Sequence, residues 1–337
     1  MNKNLLEKLV SDEKSKDKEL YSSGPYWNYK NSRALHEIKK KGLGEFRGIN
    51  SGITTSFGDN IVFDARNELN LKGRIVAKFL SLPLINIIFR EQLRATKVNI
   101  DRYIKNLAIV YQKNEDVIRL IKKYKFENTT EFGCIQKFSL DGKDYSTHYL
   151  QMADRIDKLQ NKFDFKKIKS FFEIGGGFGV NVHFIISNFP NIKKILYLDI
   201  VPNIFVGTEY LRHFYGKSVK DYLQIKDLKE ISFSNDDSLE IICIPPWEIE
   251  KLKIKIDHFH NAASFVEMPK KVIDNYCKYI EKFHVKEISL ISYEYFNSKT
   301  TFNPELLNNF FNNKLNVEWK DNLIKEYNDK LVFLTSN

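Results

Sequence analysis

The chain has 337 residues, and its 42% hydrophobic content is enough to build one large or two modest cores. The net charge of +10 comes from lysines spread along the whole chain with acids among them, as in KKIKSFFE and KEYNDK. Most of this charge reads as a solvated surface, and because a mild positive field also suits a phosphorylated or polyanionic substrate, charge alone separates nothing. The opening MNKNLLEKLVSDEKSKDKEL is charged and lacks an apolar leader core, and the run Phe79 to Phe89 is about half of a membrane span. Cys134, Cys243 and Cys277 are odd in number and form no C-x-x-C. The expectation is a cytoplasmic protein without a membrane span, its cysteines packed as core thiols.

Residues 1–165 read as a mainly helical domain. Turn-rich pieces occupy Ser22 to Asn60, and helices are predicted near Leu71 to Leu80, Leu84 to Thr96, Asp101 to Gln112 and Asn114 to Lys123. A lid or substrate platform and an oligomerisation domain both fit such a segment. Tyr149, in YSTHYLQ (Tyr145 to Gln151), is expected to face a ligand, because it precedes the charged helix-like stretch Arg155 to Lys169 that leads into the next domain.

Residues 166–337 alternate strand and helix as an α/β sheet, with strands near 171–175, 194–199, 240–244, 256–263, 286–293, 315–319 and 330–335. The last two follow a single helix, Pro304 to Phe311, which predicts a reversed strand at the sheet edge. In FFEIGGGFGV, Phe171, Phe172 and Ile174 form a buried strand, and Gly175, Gly176, Gly177 and Gly179, with Phe178 among them, make a turn that opens a helix. The free N–H groups and positive end of that helix favour a carboxylate or phosphate. A dinucleotide fingerprint fails here, because its third glycine would fall on Val180. Asp199 ends the next strand, twenty positions after Gly179 and beside Ile200, where a carboxylate can accept both hydroxyls of a ribose diol.

The spacing E-x-G-x-G-x-G, carried by Glu173, Gly175, Gly177 and Gly179, resembles the first motif of methyltransferases that use S-adenosylmethionine (SAM). The resemblance implies a seven-stranded Rossmann-like sheet and places Pro246 and Trp247 of CIPPWE near the adenine. The segment DHFHNAASFVEM, with Asn261, Ser264, Glu267 and Met268, and then Glu294 in ISLISYEYFNS, is similar to a family of sugar O-methyltransferases encoded among bacterial polysaccharide genes. The likeness runs from Glu173 to Glu294. Ser292 and Tyr293 replace the Asn and His that the family pattern carries before its final Glu.

What the resemblance implies is a sugar hydroxyl as methyl acceptor, on a nucleotide sugar, a lipid-linked sugar or a polysaccharide, with Asn261 and Ser264 on the cofactor. An alcohol is a poor nucleophile, so a base is required, and Glu267, His260 and Glu294 are the candidates. No metal ligands are assigned. A nucleic-acid or small-molecule methyltransferase of the same fold and a non-catalytic SAM-binding protein stay open as alternatives, as does a homo-oligomer.

Overall fold

The computed structural model describes residues 1–47, 111–134, 137–293, 304–323 and 330–337. Contacts divide the chain into two units, Gly44–Leu150 and a second that joins Met1–Leu43 to Gln151–Asn337. The boundary expected near residue 165 is thus displaced, and the first forty residues belong with the sheet. The helices predicted near 71–80 and 84–96, nearly all of the one near 101–112 and the apolar run Phe79 to Phe89 lie outside the described residues.

In the smaller unit, the helix Glu115–Lys123 starts where the Asn114 side chain accepts the Val117 N–H at 3.1 Å. Acids in its first turn and lysines in its last match the helix dipole. Strands β1 (Phe138–Leu140) and β2 (Lys143–Tyr145) form a hairpin around Asp141 and Gly142, both at positive φ. Arg47 is fully buried there and donates to the Thr129 carbonyl at 2.8 Å and the Ser146 hydroxyl at 2.9 Å.

The larger unit is built on a sheet of β3 (Ser170–Ile174), β4 (Lys194–Leu198), β5 (Val219–Lys220), β6 (Glu240–Ile244), β7 (His258–Ala262), β8 (Glu287–Tyr293), β9 (Asn316–Asp321) and β10 (Lys330–Thr335). Their spatial order is β5-β6-β4-β3-β7-β8-β10-β9. Six strands, β5 through β8 in that order, are parallel, and β10 runs against both of its neighbours. All seven expected strands are present. The eighth, β5, is two residues long, too short for an alternating pattern to show.

The reversed strand was expected at the edge. It is β10, one place in, and β9 takes the edge. The composition agrees, since β10 is buried at five of its six positions whereas β9 is buried at none. β3 and β6 are buried at every position, as strands covered on both faces must be. Strand order reverses between β3 and β7, and in open α/β sheets the crevice beyond the carboxyl ends of the strands at such a point is where ligands bind.

Two helices of the N-terminal segment complete this unit. Lys3–Glu13 is capped by Asn2, whose side chain accepts the Leu5 N–H at 3.2 Å, and it buries Leu5, Leu6 and Leu9. It packs against the helices Asn203–Tyr215 and Tyr222–Ile225, with Tyr222 donating to Asp12 at 2.6 Å. Gly24–Lys41 is a second helix where turns were expected, with a proline in its first turn and Gly42 at φ 70° ending it. Among the described residues, no helix is long and apolar enough to cross a membrane. Of the three cysteines, only Cys243 is fully buried.

If residues 1–13 are part of the sheet unit, Leu9→Ala should lower that unit's unfolding free energy by about 2–5 kcal/mol. Urea unfolding followed through the sheet unit checks this, and an unchanged midpoint would show that the helix is a separable appendage.

Candidate active site

The carboxyl ends of β3, β4 and β7 bring most of the singled-out residues to one place. At the end of β3 the chain turns through Gly175 at φ +73°, where a Cβ would lie 2.2 Å from the Ser264 hydroxyl oxygen. Neither the dihedral nor the space admits a side chain. Two polar groups from the end of β7 and the turn after it grip the same point: Asn261 donates to the Ile174 carbonyl at 2.9 Å and Ser264 donates to it at 3.2 Å. The Asn261 amide oxygen accepts the Phe265 N–H at 3.2 Å, so both ends of this amide are engaged within the protein. Asn261 and Ser264 thus hold the glycine loop against the neighbouring strand. Between them Ala263 takes φ +65°, an uncommon conformation for a residue with a side chain.

Glu173 points beneath this loop. A Cβ on Gly176 would come within 2.5 Å of one Glu173 carboxylate oxygen. Asn181 donates to Oε1 at 3.0 Å, and Oε2 is buried with no hydrogen-bond partner among the described residues. The carboxyl is 2% exposed, and burial, with Asp199 nearby, pushes its pKa up to about 8 against the Asn181 hydrogen bond. The helix Val180–Asn188 starts at Gly179, φ +84°, with no side chain capping it. Phe178 is turned away from the loop and packs edge-on against Tyr210 at 4.9 Å.

Asp199, at the end of β4, accepts the Gly177 N–H at 2.8 Å and the Ile200 N–H at 2.7 Å. It is 4% exposed, and burial raises its pKa to about 7 although these N–H groups and Asn203 oppose the shift. Tyr197 donates to the Gly177 carbonyl from the same strand. One loop is therefore held by a carboxylate on one peptide group and a phenol on its neighbour.

Glu267 lies in the 3-10 turn Phe265–Glu267 that follows β7. Its Oε2 accepts the indole N–H of Trp27 at 2.8 Å. Burial raises its pKa to about 8, Lys30 and the Trp27 hydrogen bond oppose the rise, and the Asp199 charge adds to it. Glu173, Asp199 and Glu267 are thus three carboxyl groups that share one field and are held above the usual carboxylate range.

The other expected residues fall elsewhere. Strand alternation puts His260 inside the sheet, 1% exposed, with Nδ1 2.8 Å from the Ser289 hydroxyl and its ring against Phe171. Burial, with His258 and Arg155 beside it, keeps its pKa well below 6.5. It does not reach the mouth of β7, where a base was expected. Trp247 is packed edge-on to Tyr222, donates to its hydroxyl at 3.3 Å and has the Lys16 ammonium 5.9 Å from its ring; Pro246 is buried beside it. Tyr149 belongs to the smaller unit, where it is fully buried under the Arg47 guanidinium. Glu294 lies outside the described residues.

Trp27, Lys30, Asn181 and Tyr197 went unnoticed in the sequence. Trp27, one of three tryptophans, stood in a stretch read as turns, and Asn181 sits two residues past the motif. Among the described residues no group of three or more His, Cys, Asp or Glu side chains is placed to hold a metal ion. The acids Asp236 and Asp237 pair with Lys194 and Lys193, respectively.

No protein-family model matches the chain, and no curated protein matches it. Among solved structures, it is similar to the pyocyanin biosynthetic protein PhzM, with 11% identity and a TM-score of 0.37 over 56% of this chain and 57% of that one. It is similar also to a SAM-dependent methyltransferase from Aquifex aeolicus, with 10% identity and a TM-score of 0.37 over 53% of this chain and 87% of that one. A third is the magnesium protoporphyrin IX methyltransferase of Synechocystis PCC 6803, solved with SAM bound, with 8% identity and a TM-score of 0.37 over 56% of this chain and 80% of that one. Identities and scores of this size leave activity and substrate to be argued from the site itself.

The Gly175 geometry has a direct consequence. Gly175→Ala should destabilise the sheet unit by about 1–3 kcal/mol from the positive φ alone, with overlap against Ser264 added. Adding Ser264→Gly should recover only the overlap. Equal urea midpoints for Gly175→Ala and the native chain would contradict this geometry.

Proposed function

We propose that the chain transfers a methyl group from SAM to a hydroxyl of a sugar in a bacterial surface polysaccharide or its precursor. The observation that carries this reading is the group of three buried carboxyls, Glu173, Asp199 and Glu267, with raised pKa values around one glycine loop. Such a site favours a ligand that brings positive charge. SAM brings a sulfonium and an ammonium, and in addition a carboxylate for the helix end at Val180 and a ribose diol.

In this reading Asp199 takes the ribose, since a carboxylate that accepts two N–H groups and the Asn203 side chain keeps acceptor capacity for a further donor. Glu173 lies beneath the loop for the amino-acid end of SAM, and the backbone of Gly175 to Gly179 approaches it closely. Asn261 and Ser264 serve the cofactor by shaping that loop. Ile200, Pro246 and Trp247 are assigned to the adenine side on sequence grounds.

The chemistry is an in-line displacement in which most of the acceleration comes from alignment. The acceptor oxygen bonds to the methyl carbon, the carbon–sulfur bond breaks with its electron pair going to sulfur, and the hydroxyl proton passes to Glu267. The sulfonium cation and the carboxylate anion are both neutral afterwards. A pKa near 8 suits a base working close to neutral pH. Glu267 is preferred to His260, which is enclosed in the sheet, and the sugar assignment rests on the resemblance through Asn261, Ser264, Glu267 and Met268.

A paired experiment separates the two roles. Asp199→Ala should weaken binding of SAM and of its demethylated product by about 10-fold to 100-fold, the range for hydrogen bonds to a charged group. Glu267→Gln should keep binding and lower methyl transfer to sugar acceptors by about 100-fold to 10,000-fold. Calorimetry and a methyl-transfer assay measure the two. Native affinity in the first variant would remove the ribose role, and native turnover in the second would move the base to Glu294.

A further inference from the structure

The helix Gly24–Lys41 is fixed closely to the turn that carries Glu267. A Cβ on Gly24 would stand 3.1 Å from Pro269 Cδ and 3.5 Å from the Glu267 carbonyl oxygen. Three residues on, Trp27 donates its indole N–H to Glu267 Oε2 at 2.8 Å, and one turn later the Lys30 ammonium lies 5.4 Å from the Trp27 ring centre. Among the described residues, Glu267 Oε1 has no hydrogen-bond partner. We propose that Trp27 is a positioning residue for Glu267: its indole N–H holds one carboxylate oxygen and leaves the other for the acceptor hydroxyl, with Lys30 setting the charge around the pair. The inference rests on the reading of Glu267 as the proton acceptor and makes the N-terminal helix part of the catalytic apparatus.

The geometry has a physical logic. A carboxylate with free rotation about its side chain presents its lone pairs in many directions, and a single strong donor on one oxygen removes most of that freedom. An indole N–H suits this task because it only donates and carries no charge, so it fixes the carboxylate without competing for its proton. Among the described residues, the charged groups that act on Glu267 are Lys30 on the same helix as Trp27 and Asp199 at the end of β4. They act in opposite senses: Lys30 favours the ionised form and Asp199 disfavours it.

The test uses the full, ligand-free chain. An indole that donates to a carboxylate emits differently from one beside a neutral carboxyl, so tryptophan fluorescence reports the ionisation of Glu267. The native protein should show a step near pH 8. The step should vanish in Glu267→Gln, which keeps all three tryptophans, and in Trp27→Phe, which keeps the ring and loses the donor. Lys30→Met should move the midpoint upward by about one pH unit, because it removes an opposite charge. A step that survives Glu267→Gln or Trp27→Phe, a native protein without one, or a Lys30→Met midpoint that stays put would each overturn the proposal. Repeating the titration with saturating SAM keeps the two readings apart. A midpoint that falls supports both, whereas a Trp27-dependent step that SAM leaves in place upholds the contact and removes the methyl-donor reading.

Discussion

Three carboxyl groups kept from water at the ends of two adjacent strands and in the turn beyond a third set the terms for this structure. Glu173, Asp199 and Glu267 each have a pKa raised first by burial, and Asp199 raises the other two further. A charge held this way carries a cost that only a cation or a proton relieves. Without a ligand the proton serves, so the stability that these groups contribute is present at low pH and is lost as pH rises through about 7 to 8.

The fold delivers these groups together because the strand order reverses between β3 and β7. The loop after β3 and the turn after β7 then face each other across one crevice, and Asn261 and Ser264 tie them through a single backbone carbonyl, that of Ile174. A ligand that presses on the glycine loop therefore presses on the turn that carries Glu267. Asp199 joins the same assembly through Gly177. The glycine loop and the placement of Glu267 are in this way properties of one connected piece of structure.

Most of this was written locally in the sequence, and where it was not there is a physical reason. The seven strands show because a run such as ILYL in KKILYLDI is continuously apolar and is followed by an acid, and the glycine motif shows because Gly175 has no alternative at that φ and contact distance. β5 escaped notice because two residues carry no period, and β10 was put at the edge because direction in a sheet is not encoded by composition. His260 alternates into the sheet, which the pattern of β7 allows but which only its partner Ser289 on β8 decides. The helix Gly24–Lys41 was hidden by its Gly-Pro start, and the pairing of Trp27 with Glu267 spans 240 positions, a separation that no local reading bridges.

The account stands on the claim that the buried carboxyls are waiting for a cation. Calorimetry of SAM binding at pH 7, in two buffers of different ionisation enthalpy, counts the protons exchanged. With pKa values of about 7 to 8 in the free protein, the carboxyls hold protons at that pH and must give them up to a bound sulfonium and ammonium. The account predicts a net release of protons on SAM binding at this pH. Binding with no proton released, or with protons taken up, would contradict it.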